Sequence, residues 1–130
     1  FQIVHPNPNK KHKWLKHSFV ESPNRGDNIY RYEFSTTNCS HCIKLPDYYK
    51  YLNECNMAWV YPVDHFGEGY SEVDENKENL VIKTNKDGRY NVLLIGTRCD
   101  PLAVRDWNGV VRDHGVKDKL NTYSSIEKDG

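Results

Sequence analysis

The stretch Asn38-Cys39-Ser40-His41-Cys42 concentrates more reactive side chains than any other in this chain. Two cysteines three apart with a histidine between them would serve as one knuckle of a zinc site, or as a CxxC redox pair. Structural zinc takes four nitrogen or sulfur ligands, usually supplied by two such knuckles. Cys55 and Cys99 stand singly in distant segments, so the second knuckle is missing. A redox pair needs its first cysteine at a helix N-terminus, where the thiolate is favoured. Here Cys42 opens the strand-like run "CIKL" instead. The favoured reading places Cys39 and His41 on a loop and Cys42 at the start of a strand, with no metal and no cofactor. A chelator is then expected to leave the fold intact, since a structural zinc site couples metal loss to unfolding. Asn38-Cys39-Ser40 also has the form Asn-x-Ser, which bears on glycosylation only in a secreted chain.

The remaining reactive residues are scattered. Histidines at positions 5, 12, 17, 41, 65 and 114 include no i, i+4 pair on a helix. No G-x-S-x-G, phosphate-binding loop or dinucleotide fingerprint occurs. His17, Ser18 and an aspartate would make a nominal triad, but geometry and not residue content defines one. No catalytic residues are expected. Arg25-Gly26-Asp27 is an integrin-recognition tripeptide, yet Gly and Asp are turn residues for backbone reasons. Alanine at Arg25 or Asp27 is expected to shift stability by no more than about 0.5 kcal/mol. His17 and Glu21 share one face of a strand, with Arg31 opposite on the next, so the three are candidates for a cross-strand polar network.

The elements that must position these residues are mostly strands. "FQIV" is a short strand candidate, stopped by the Pro/Asn/Lys loop "HPNPNKKHK". "KWLKHSFVE" and "IYRYEFS" alternate, and "SPNRGDN" between them has turn composition, so the pair reads as a hairpin. "CIKL" is brief. "PDYYKYLNE", with Pro at its first position, reads as one or two helical turns over Pro46–Asn53. "MAWVYPV" is a strand closed by Pro62, and "DHFGEGYSEVDENKEN" a long loop or a hairpin tip. "LVIKT" and "RYNVLLIGTR" read as a second hairpin, with Asp87-Gly88 as its turn signal. Residues 101–130 lose periodicity and read as loop-rich. Short strands at roughly ten-residue spacing predict an all-β domain, a sandwich or small barrel, with at most one short helix.

Composition agrees. A chain of 130 residues fits one domain, which can bury roughly 65–70% of its unfolded surface without metal or disulfide staples. Nine Tyr, four Phe and three Trp favour strands over helices. Lys and Arg balance Asp and Glu at 18 each, so no net field recruits nucleic acid or acidic membranes. No apolar run approaches the ~20 residues of a bilayer span. Phe1 in place of Met is expected of a piece of a longer chain.

Taken in order, His5-Pro6, Leu15 and His17, Glu21 and Pro23, Tyr30-Arg31, Leu45-Pro46 with Tyr48, Tyr61-Pro62, and Gly96 with Arg98 form a second pattern. Over about residues 1–101 this series resembles a domain near the C-terminal ends of phage tail fibres and giant-virus spike proteins. Ser22 and Tyr32 stand where that family often has Gly. The resemblance implies a β-sandwich-like head of a homotrimeric spike or fibre, on the virion surface and assembled in host cytoplasm. It implies no catalytic residues, and cysteines kept mostly reduced by that compartment. Its partners would be further copies of itself and a host-surface receptor or glycan. Trp14, Phe34 and Trp59 become candidate interface aromatics, because a large ring buries apolar area between chains efficiently. A fibre-capping trimerisation module without a receptor, and a small hydrolase or metal enzyme, are the rival readings.

Overall fold

The computed structural model describes residues 1–18 and 21–111. Its elements are β1 (Gln2–Val4), β2 (Trp14–Lys16), β3 (Asp27–Ser35), β4 (Ser40–Lys44), α1 (Tyr49–Leu52), β5 (Asn53–Pro62), β6 (Gly69–Val73), β7 (Asn79–Thr84), β8 (Arg89–Arg98) and α2 (Pro101–Asp106). One three-stranded sheet has the order β3-β8-β5, a second the order β4-β7-β6, and β1 pairs with β2 apart from both. Every pairing is antiparallel. The fold is all-β and sandwich-like, as the alternating runs predict.

Alternation explains the core. In β3 the inward positions include Tyr30 and Phe34, in β8 Tyr90, Val92 and Leu94, and in β7 Leu80 and Ile82. These side chains meet Leu45 and Tyr49 in one apolar cluster between the two sheets. A smaller cluster of Ile3, Leu15 and Leu52 fastens the β1–β2 pair to α1.

Both expected hairpins are corrected. β2 ends at Lys16 and pairs with β1, while β3 pairs with β8 along its length, from Asp27 opposite Thr97 to Ser35 opposite Arg89. Phe19 and Val20, which the expected first strand included, lie outside the described residues. Gly26 leads the chain into β3 with φ +152°, and a Cβ there would lie 2.9 Å from Cδ of Arg98, so only glycine fits without displacing that side chain. β7 and β8 are strands as expected but belong to different sheets. The Asp87-Gly88 link crosses between sheets, its Gly88 carbonyl accepting from Thr36 N–H at 2.9 Å. Crossing lets the apolar faces of β7 and β8 meet across the core instead of lying side by side.

The stretch read as a long loop or a hairpin tip holds β6 and the tip joining it to β7. Asp74 closes that tip, its carboxylate accepting from Glu78 N–H (2.9 Å), Asn79 N–H (3.2 Å) and the Asn79 amide (2.9 Å). The expected helix over Pro46–Asn53 is reduced to α1, because Asn53 already begins β5. A second short helix, α2, lies where the sequence reads as loop. Asp100 caps it by accepting from Ala103 N–H at 3.3 Å, with Pro101 at the first helical position. Residues 112–130 of the loop-rich segment lie outside the described part.

Candidate functional site

β5 sets the most distinctive surface. Its alternation turns Met57, Trp59 and Tyr61 outward, with relative exposures of 62%, 53% and 73%. Pairing with β8 and then β3 extends each residue into a cross-strand row. Met57 lies beside Ile95 and Ile29, Trp59 beside Leu93 and Arg31, and Tyr61 beside Asn91 and Glu33. Neighbours within such a row have Cβ atoms about 5 Å apart. The outer face of this sheet therefore grades from an apolar row, through a mixed row, to a polar one. Arg31 and Glu33 are exposed, and neither has a salt-bridge partner among the described residues. Two shallow hollows flank Trp59, one floored by Tyr61 and Leu93, the other reaching Met57, Ile95 and Trp107.

The Asn38–Cys42 stretch is structural. Thr37 and Ser40 exchange both backbone hydrogen bonds at 3.3 Å, with Asn38 (φ 54°) and Cys39 (φ 59°) between them in the left-handed region. Such a pair is what a two-residue type I′ turn requires. Asp87 holds the tip by accepting from Asn38 N–H (3.2 Å) and Cys39 N–H (2.7 Å). Cys42 is exposed on β4, Cys55 stands where β5 shifts register, and Cys99 follows β8; all four thiols are free. Among the described residues no group of three His, Cys, Asp or Glu side chains could hold a metal ion.

Arg25-Gly26-Asp27 is not an exposed hairpin tip. Arg25 donates from Nε to the Arg98 carbonyl at 2.6 Å and pairs through its terminal nitrogen with Glu54, which pins the tripeptide to the sheet. His17, Glu21 and Arg31 do not form one network. His17 Nε2 meets the Tyr48 hydroxyl at 3.0 Å, its ring tilted against those of Phe1 and Tyr48. Glu21 and Arg31 are exposed and unlinked to it by hydrogen bond or ion pair. Ser18 is not hydrogen-bonded to His17, so the nominal triad is not assembled. Burial lowers the pKa of His17, and the Arg98 guanidinium adds to the effect. Burial raises those of Tyr30 and Tyr48, which pack against it, and of Tyr49, which packs against Tyr30.

Of the candidate interface aromatics, Phe34 is corrected. It is 9% exposed and stacks on Tyr90 and His41 inside the protomer. Trp14 is 66% exposed and lines a cleft with Ile3, Val4, Pro8, Tyr51 and Leu102.

No family model, curated protein or solved structure matches the chain. Among the described residues no helix is long and apolar enough to cross a membrane.

Chemically, the outer face of β3-β8-β5 offers aromatic planes, hydrogen-bond donors and acceptors, and, among the described residues, no nucleophile paired with a base. Sequence reasoning picked Trp59 but passed over Met57, Tyr61 and Leu93. The signal was present in "NMAWVYP", whose odd positions from Met57 to Tyr61 are all large and apolar or aromatic. What the sequence lacked was the identity of the strand beside it.

Proposed function

We propose that this chain is the head domain of a trimeric viral spike or fibre, displayed on the virion surface and attaching to the host. The observation that carries the reading is the open face of β3-β8-β5, where Met57, Trp59 and Tyr61 stand exposed in one row along β5. A protomer that displays a contiguous aromatic strip generally uses it for contact. The ordered resemblance to fibre and spike heads supports the same reading. Subunit contacts are assigned to the Trp14 side, where Ile3, Val4, Tyr51 and Leu102 make the cleft mostly apolar, with Gln2, His5, Lys11 and Asp100 also lining it. A subunit interface favours such surface, because charged groups are depleted from its centre. Three parallel chains at the end of a fibre close a ring through heterologous contacts, so the Trp14 side of one protomer would meet a different surface of the next. Trp59 is assigned to recognition, since Arg31 and Leu93 share its row.

Light scattering and a cell-attachment assay test this together. The expected mass is three times 15.2 kDa, with saturable attachment to host cells. A monomer at micromolar concentration that binds no cells would remove the reading. A trimer that binds no cells would leave the fibre-capping module in its place.

A further inference from the structure

We propose that the hollow between Trp59 and Tyr61 binds a neutral oligosaccharide, an inference that rests on the attachment role. The face is built in register. Trp59, Leu93 and Arg31 form one row, and Tyr61, Asn91 and Glu33 the next. Successive outward rows on a strand lie about 6.6 Å apart, so the two aromatic side chains present neighbouring platforms along β5. Each platform has polar groups on its own row, not on a distant loop.

The chemistry of this arrangement fits one class of partner. A sugar ring has apolar C–H faces and a rim of hydroxyls, each both donor and acceptor. Aromatic side chains take the C–H faces while their polar tips stay paired. The planar groups of Arg31, Asn91 and Glu33 supply five donors, an amide with both functions, and two acceptor oxygens respectively. Among the described residues neither charge is consumed by a salt bridge. Arg31 and Glu33 also cancel in charge, two residues apart on the same face of β3. That balance leaves the site no net charge with which to favour an anionic glycan, since a sialylated or sulfated one would meet Glu33 as well as Arg31. A second copy of this chain fits less well, because docking it here would bury both charges without a partner on the sheet.

The test uses the whole chain and an immobilised panel of neutral and sialylated oligosaccharides. Neutral members are expected to bind. Trp59→Ala and Arg31→Ala are expected to weaken binding at least tenfold, and Glu33→Gln several-fold with the side-chain shape preserved. Tyr70→Ala, on β6 in the other sheet, is expected to leave it unchanged. All four side chains are exposed, so circular dichroism and melting should match the parent. Binding confined to sialylated members, binding that survives Trp59→Ala with Tyr61→Ala, or no binding to the panel would each overturn the inference. A loss of oligomer mass in Trp59→Ala would overturn it too, by returning the face to a subunit contact. Attachment to cells stripped of glycans by glycosidase separates the two readings. If cell attachment survives stripping, the head role stands and the carbohydrate site falls.

Discussion

Asn53 shows how much one buried polar side chain can organise. It is fully buried, accepts from the Asn28 amide at 2.7 Å, and donates to the Tyr30 hydroxyl at 3.0 Å and the Tyr49 carbonyl at 3.1 Å. Gly96 lies flush against it, where a Cβ would come within 2.7 Å of its side chain. Asn53→Ala leaves the Asn28 amide unpaired, so a loss of about 2 kcal/mol is expected in urea denaturation. His17 makes a prediction in pH. Burial lowers its folded pKa below the ordinary 6.5, so the unfolded chain takes up the proton first as pH falls. Stability from neutral His17 is thus complete above that value and declines below it. Denaturation midpoints between about pH 7.5 and pH 5.5 should fall less steeply in His17→Gln than in the parent. Identical slopes would show that another group titrates. At Arg25 the structure revises the sequence expectation: with its bonds to Glu54 and the Arg98 carbonyl, Arg25→Ala should lose about 1 kcal/mol. Asp27→Ala, which gives up an exposed bond from Asn24 at 3.2 Å and a marginal one from Thr97 at 3.5 Å, should stay within about 0.5 kcal/mol. A loss within about 0.5 kcal/mol for Arg25→Ala would show that its contacts contribute nothing.

Elements were legible where a signal is local. Alternation located β3, β5, β7 and β8, because a period of two reports which side of a strand faces apolar surroundings. It reports nothing about the neighbouring strand, which is why both hairpins were read with the wrong partners. β6 was hidden by the polar and glycine residues of "GYSEV", an edge strand in its sheet. α2 was readable in principle, since Asp100 followed by Pro101 is a cap and a first-turn residue in order. Only its brevity concealed it. The cap also shows how α2 is fixed. Asp100 is 3% exposed and receives Arg98 Nε and a terminal nitrogen, each at 2.8 Å, besides capping Ala103. Asp100→Ala removes the partner of a mostly buried guanidinium, so about 3 kcal/mol should be lost in thermal or urea unfolding. A loss under about 0.5 kcal/mol, the size of an ordinary surface change, would mean that Arg98 reaches solvent when released.

The described part of the molecule is a sandwich that leaves the Trp14 cleft and the mixed Trp59 row outside its core. The aromatic excess foretold surplus apolar surface, but only pairing could say which rings are core, as with Phe34, and which are outward, as with Trp59. The candidate site was half legible for the same reason. Trp59 and Arg31 were both singled out in the sequence, and only the order β3-β8-β5 makes them members of one row. That order has a further consequence in time. Among the described residues β8 is the last strand of the sandwich and the middle strand of its sheet, so β3 and β5 emerge from the ribosome well before the strand that joins them. Loop closure over such separations is slow, and folding in milliseconds to seconds follows from it. Until Arg98 has been synthesised, the inner edge of each strand lacks the partner β8 later supplies, and open edges pair readily with any extended neighbour. Where several copies are translated close together, the interval before β8 arrives is when strands of different chains can be exchanged.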